Sequence, residues 1–278
     1  MLVLEGGGLR GIYTAGVLDT FLDQGIQIDA IVGVSAGALF GINYVSEQRG
    51  RCLRYNLNYV GNRHYMGFYS FLTTGNIMNK DFCFDTLVRT LDPFDFKKFQ
   101  KSKTKFFCVV TNVETGRPEY IEIKNLEQQM EYLRASGSMP LVSRIVTIDG
   151  KKYLDGGISD SVPIEWALMQ GYDRIIVVET RTKDYRKKDG SMLLFHLFYR
   201  KYPQFLQTMQ NRPKEYNKTK KMLLKEDRKK CFVIRPSKLI KIKRVEKNKK
   251  RIQEMYDLGV LDAKRCMESL KQYLKSNL

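Results

Sequence analysis

The sequence predicts an α/β layered domain built on a mainly parallel sheet. Two patterns carry that prediction. Short runs rich in Val, Ile and Phe alternate with segments whose apolar residues recur at helical spacing, and glycine-rich turns join them. The chain is also long enough, at 278 residues with 43% hydrophobic and 12% aromatic side chains, to bury a proper core.

The elements follow in order. "LVLEGGGLRGIYTAG", from Leu2, reads as a strand, a glycine-rich turn and the start of a helix. In that helix Ile12, Ala15, Leu18, Phe21 and Leu22 share a face, and Gly25 is placed to end it. "DAIVGVS" (29–35) is a short buried strand, and "AGALFGINYVSEQ" (36–48) a helix of small residues. "KFFCVVT" (105–111) and "RIIVVET" (174–180) read as inner strands of a parallel sheet, whereas "RPEYIEIK" (117–124) alternates and reads as half exposed. Residues 1–180 are therefore expected to form one α/β layered domain. Residues 181–278 read as a basic, mostly helical extension packed on the same core. In it "MLLFHLFYRKYPQFLQTMQ" (192–210) is an apolar helical segment interrupted by Pro203, and "KEYNKTKKMLLKEDRKK" (214–230) is a basic helix. "CFVIRP" (231–236) is one more strand, and residues 246–275 are helical with a break near Gly259.

Charge is unevenly placed. Residues 1–180 carry 19 basic and 20 acidic side chains, and residues 181–278 carry 29 and 10. That asymmetry points to a polyanion, either a membrane surface or nucleic acid. Tyr199, Tyr202 and Tyr216 interleave with the basic residues, but no nucleic-acid fold motif accompanies them, so an anionic membrane is the expected partner and nucleic acid is not. A non-enzymatic protein that binds nucleic acid or membrane through this third is the alternative. Cys52, Cys83, Cys108, Cys231 and Cys266 are scattered and read as free thiols of a reducing compartment. "MLVLEGGG" lacks the features of a signal peptide, and no apolar run is long enough to span a bilayer. The expectation is a cytoplasmic protein with peripheral contact at the inner membrane face. With His64 and His196 the only imidazoles, a zinc site is not expected, nor is any other metal or cofactor.

Three motifs carry chemistry. Gly6, Gly8 and Gly11 fall on the G-x-G-x-x-G spacing, whose backbone N–H groups suit either a dinucleotide phosphate or an ester oxyanion. "GVSAG" (33–37) is G-x-S-x-G between a strand and a helix, where Gly33 and Gly37 leave room for a tight turn that exposes Ser35. A serine hydroxyl needs a base. His196 lies inside an apolar helix and reads as a packed or partner-bonded residue. His64 lies in a polar and aromatic loop, and neither suits the task. A carboxylate then serves, and "KKYLDGGISDSVP" (151–163) supplies Asp155 at a strand end, followed by Gly156 and Gly157.

In this order "GGGLRG", "GVSAG", "ASGSMP" (135–140) and "DGG" resemble the patatin-like phospholipases, and the basic C-terminal helices fit a bacterial branch of that family. The likeness covers residues 2–180, with "TNVETG" (111–116) adding to it. It implies a three-layer α/β/α fold and a lipid acyl hydrolase with a Ser–Asp dyad and no cofactor. Ser35 would be the nucleophile and Asp155 the general base. Gly6, Gly7, Gly8, Arg10 and Gly11 would form the oxyanion loop, with Gly33, Gly37, Gly156 and Gly157 supporting the turns. Substrates would be phospholipids, lysophospholipids or neutral acyl esters. The residues agree that the loop is no dinucleotide site: a Rossmann unit wants an acid ending its second strand, where this chain has Ser35.

Overall fold

The computed structural model describes residues 1–226 and 230–276. Its strands are β1 (Leu2–Leu4), β2 (Ala30–Val34), β3 (Lys105–Asn112), β4 (Pro118–Glu122), β5 (Val146–Ile148), β6 (Lys151–Asp155), β7 (Ile175–Val178) and β8 (Cys231–Ile234). Its α-helices are α1 (Ile12–Asp23), α2 (Ala36–Val45), α3 (Arg51–Tyr59), α4 (Phe68–Thr74), α5 (Phe96–Lys101), α6 (Leu126–Ser136), α7 (Ile164–Met169), α8 (Leu193–Tyr199), α9 (Pro203–Glu226) and α10 (Lys249–Lys275). The strands form one sheet in the order β5-β6-β3-β2-β1-β7-β8, with β4 also paired to β3. β3, β2, β1, β7 and β8 run parallel; β4, β5 and β6 add antiparallel pairs at the β3 side.

The two-residue period of the strands sorts the core into two faces. Leu2, Leu4 and Ile31 point into a cluster with residues of α1, α2, α3, α6 and α10. Val3, Val32 and Val34 point the other way, toward Ile164 and Ala167 of α7 and Tyr216 and Leu223 of α9. The result is helix, sheet, helix. β1 and β2 are buried on both faces, which is why they read as unbroken apolar runs rather than alternating ones.

The final third is built into this core. β8 extends the sheet beyond β7, α10 lies against α1, and α9 covers the second face. An ion cluster ties it down: Lys220 and Glu179 are fully buried and meet at 2.6 Å, and the partly buried Arg235 reaches the same carboxylate at 2.8 Å. The sheet thus runs across residue 180. The apolar segment is interrupted at Pro203 as expected: α8 ends at Tyr199, and Pro203 opens α9, as suits a residue without a backbone donor. The basic helix expected over 214–230 is the second half of α9 and ends at Glu226; residues 227–229 lie outside the described ones.

One expectation fails. Gly259 does not break the last helix; α10 is continuous through it. The missing side chain serves the helix crossing instead. A Cβ there would collide with the Tyr13 carbonyl oxygen of α1, and one on Gly16 would collide with the Tyr256 carbonyl oxygen of α10. Gly259→Ala should therefore destabilise the fold by about 1–3 kcal/mol through overpacking, although alanine is by about 1 kcal/mol the better helix former. The midpoint of urea unfolding checks this; an unchanged or raised midpoint would mean the two helices separate freely.

Candidate active site

Strand register brings Ser35 and Asp155 together. β2 pairs with β3 so that Val34 faces Val109, and β3 pairs with β6 so that Val110 faces Asp155. Ser35, one residue past β2, therefore stands level with Asp155 across the end of β3. The Ser35 hydroxyl donates to Asp155 Oδ2 at 2.9 Å, bridging 120 positions of sequence. Both residues are buried.

Ser35 sits on a strained turn. Its φ of 53° and ψ of −121° lie in a region that disfavours any residue with a Cβ. The turn is tight because α2 begins immediately: a Cβ on Gly37 would strike the Leu4 carbonyl oxygen, and one on Gly33 would come within 2.6 Å of the Ala38 Cα. The Ser35 N–H donates to Ser136 Oγ at 2.8 Å, and that hydroxyl donates to the Val109 carbonyl at 2.7 Å. The Ser138 carbonyl accepts the Asp155 N–H at 2.8 Å. The "ASGSMP" segment thus grips the backbone of both residues, a purpose its sequence alone does not state.

Asp155 Oδ1 accepts the Gly157 N–H at 2.8 Å, while Gly156 packs beneath, against the Val109 carbonyl. Burial pushes the Asp155 carboxyl above the usual carboxylate range; the Arg212 guanidinium, the Gly157 N–H, the Ser35 hydroxyl and Arg244 offset part of that. The carboxylate is consequently a stronger base than a solvated aspartate, in hydrogen-bonding reach of one hydroxyl.

The glycine loop faces the same space. Gly6, Gly7, Gly8 and Arg10 line a cavity of about 370 Å³ together with Ser35 and Asp155. Gly11 does not line it; Gly11 packs against Ala36 and Phe40 of α2. The Leu9 N–H is already taken by the Arg244 carbonyl at 3.0 Å, so the loop donors nearest Ser35 lie upstream of Leu9. Arg10 is buried, its Nε has no hydrogen-bond partner among the described residues, and burial followed by the nearby Arg181 and Arg244 lowers its pKa to about 10.

Neither histidine lines the cavity. His64 is exposed beside Tyr69. His196 is also exposed rather than packed, its Nδ1 at 2.9 Å from the Met192 carbonyl of its own helical turn. The apolar α8 is not a core helix either: Leu193, Leu197 and Phe198 are 76%, 63% and 67% exposed. Periodicity could not foresee this, since an apolar run looks the same whether covered or bare. Tyr199 and Tyr216 turn inward and offer no stacking face; Tyr199 lies against Phe205, and Tyr216 donates to Glu5 at 2.7 Å. Residues that motif reasoning missed are Arg181, Lys187, Arg212 and Arg244, all on the cavity wall and all from the final third. Their signal in the sequence was only the bulk basic charge of that region.

Comparison with known proteins bears on this geometry. The chain is 31% identical over 185 residues to YjjU of Escherichia coli (strain K12), covering 64% of this chain and 51% of that one. It is 28% identical over 196 residues to lysophospholipase nte1 of Aspergillus fumigatus, covering 66% of this chain and 12% of that one. It therefore spans about half the length of the first relative and a small part of the second. Among solved structures, VipD from Legionella pneumophila superposes with a TM-score of 0.47 at 12% identity, over 96% of this chain and 66% of that chain. A model described as a domain of unknown function (DUF6363) matches residues 202–275. The model of the patatin-like phospholipases matches residues 2–168. Since that match takes in every element from β1 to β6, with Ser35 and Asp155 inside it, the chain belongs to the patatin-like phospholipase family.

Proposed function

We propose that the chain is a lipid acyl hydrolase that forms an acyl-enzyme on Ser35 with Asp155 as general base. The observation that carries this reading is the 2.9 Å Ser35–Asp155 hydrogen bond at the junction of two unlike cavities. One is the larger cavity described above, whose mixed wall carries the cationic side chains as well as Leu141, Phe195 and Met209. The other is narrow, about 60 Å³, and is lined by Leu39, Phe40, Met66, Met78 and Met139 as well as Ser35. The first carbons of an acyl chain suit the second, and the rest of a lipid suits the first.

The chemistry then runs in two halves. Asp155 takes the Ser35 proton as Oγ bonds to the ester carbonyl carbon. Charge develops on the carbonyl oxygen, and N–H groups of the Gly6–Gly8 loop stabilise it, aided by the positive end of α2. The tetrahedral intermediate collapses, and the leaving alcohol takes the proton from Asp155. In the second half Asp155 deprotonates water, which attacks the acyl carbon. Ser35 recovers its proton as the fatty acid leaves.

The substrate would come from a bilayer. Phe68 and Leu72 of α4 are 71% and 65% exposed, adding to the bare face of α8. Both helices border the mouth, because Ile77, just after α4, and Phe195 of α8 line the same cavity. The exposed Arg200 and Lys201 follow α8, so apolar and cationic groups lie side by side, as peripheral contact with an anionic membrane requires. No helix among the described residues is long and apolar enough to cross a membrane.

Three outcomes test this reading. Ser35→Ala and Asp155→Asn, each shown to be folded, should lower hydrolysis of p-nitrophenyl butyrate by about a thousandfold or more; full activity in either variant would remove the dyad. The acid limb of kcat/KM should lie above the roughly 3.9 of a solvated aspartate, because burial raises the Asp155 pKa and only the ionised form accepts the proton. A limb at or below that value would place the base elsewhere. Finally, Leu197→Asp with Phe198→Asp should weaken co-sedimentation with phosphatidylglycerol vesicles by about tenfold, the scale expected for losing two half-buried apolar side chains. Equal binding would mean that α8 does not meet the bilayer.

A further inference from the structure

The cationic wall of the active-site cavity has no counterpart in the mechanism. Arg10, Arg181, Lys187, Arg212 and Arg244 line the cavity, against the carboxylates of Glu5 and Asp155 alone. Both carboxylates are already engaged. Glu5 accepts the Tyr216 hydroxyl and the Thr180 N–H and hydroxyl, and Asp155 accepts Ser35 and Gly157. Among the described residues none of the five cations lies within 4.0 Å of an acid. Five cations thus share a partly dehydrated space with only two carboxylates, each already hydrogen-bonded elsewhere.

Such crowding is costly, and the groups show it. Burial, then Arg212 and Arg244, pushes the Lys187 ammonium down to about 7. Its Nζ lies 4.0 Å from the centre of the Tyr216 ring and 3.4 Å from Ser161 Oγ. Burial lowers the Arg212 pKa as well, and that side chain's Nε donates to the Gly157 carbonyl at 2.6 Å, next to Asp155. Arg244 stands at the solvent end, exposed. Its backbone is fixed, since its carbonyl accepts the Leu9 N–H and fills the space a Cβ on Gly8 would occupy, 2.7 Å away. Gly8, at a φ of +58°, is therefore glycine for two reasons: the turn and this docking.

Resting on the hydrolase reading above, we infer that Arg181, Lys187, Arg212 and Arg244 form a phosphate subsite that selects acyl esters with a net-negative phosphate headgroup. All four lie beyond the residues matched by the patatin-like model, and Arg212 and Arg244 fall within the domain of unknown function. The final third thereby completes the active site rather than merely covering the sheet. With the carbonyl at Ser35 and the first acyl carbons in the apolar cavity, a headgroup held in the larger cavity would meet these cations. A phosphate monoester, or a diester with an uncharged alcohol, would neutralise them through charge-assisted hydrogen bonds. A choline or ethanolamine headgroup would bring another cation into the same cluster and gain less.

The test compares monomeric 1-oleoyl lysophosphatidate, 1-oleoyl lysophosphatidylcholine and p-nitrophenyl butyrate as substrates of the full chain. Wild type should favour the phosphate monoester over the choline lipid by about tenfold or more in kcat/KM. Arg181→Gln with Arg244→Gln should collapse that ratio, mainly through KM, and Arg244→Lys should largely retain it because charge is kept. A ratio near one in wild type, or the same ratio in wild type and the double variant, would overturn the subsite. Binding is read separately from catalysis by the melting temperature in inorganic phosphate against chloride at equal ionic strength. A phosphate-specific rise in wild type that is lost in the double variant supports the subsite even in a protein that hydrolyses no ester, in which case only the hydrolase reading fails. A phosphate rise together with active but headgroup-blind hydrolysis would show a site for free phosphate and would overturn headgroup selection. No phosphate rise would sink the subsite while leaving the dyad intact.

Discussion

The candidate active site depends on holding one non-glycine residue in a backbone conformation it disfavours. Left alone, Ser35 would relax from φ 53°, at a cost to the fold of about 1–3 kcal/mol for keeping it there. Three features prevent relaxation. β2 is locked between β1 and β3, α2 starts directly after the turn, and the Ser136 hydroxyl holds the Ser35 N–H. With the turn held, the Ser35 hydroxyl has one direction open to it, toward Asp155 and the cavity.

Asp155 presents the opposite problem, a charge where water is scarce. Its backbone is anchored by Ser138 and its side chain by Gly157 and Ser35, so the carboxylate is oriented without being strongly neutralised. Arg212 sits near enough to favour the ionised form yet bonds to the Gly157 carbonyl instead of pairing with the carboxylate. A direct ion pair would have lowered the basicity that general-base chemistry needs. The final third of the chain sets this balance, since α9 supplies Arg212 and the segment before α10 supplies Arg244.

The apolar and cationic sides of Ser35 give the cavity a direction. Leu39, Phe40 and Met78 lie on one side, Lys187 and Arg212 lie on the other, and Arg244 borders both cavities. The exposed residues of α4 and α8 stand at the mouth, where a molecule with an apolar tail and a charged head would enter from a surface. Regions that looked unrelated in the chain, a basic tail, an apolar helix and a glycine loop, meet at one opening.

Much of this was legible beforehand, and the failures are instructive. Ser35, Asp155 and the glycine loop announce themselves because a tight turn needs particular residues at fixed local spacing. β1, β2, β3 and β7 are equally plain, as doubly buried strands are apolar throughout. Gly259 misled because glycine breaks helices locally yet also permits close helix contact, and only the position of Tyr13 on α1 decides between the two. His196, read as packed, is exposed, and the bare leucines of α8 were not foreseeable, because periodicity reports a face without reporting what covers it. The sequence by itself determined the turns, the strand and helix periods and the candidate pair Ser35 and Asp155, all properties of short-range backbone sterics and side-chain alternation. Only the tertiary structure decided that Ser136 and Ser138 brace both residues, that Arg212 and Arg244 reach the cavity, and that α8 lies bare. Those facts depend on strand register and helix docking between residues tens to hundreds of positions apart, which no local pattern encodes.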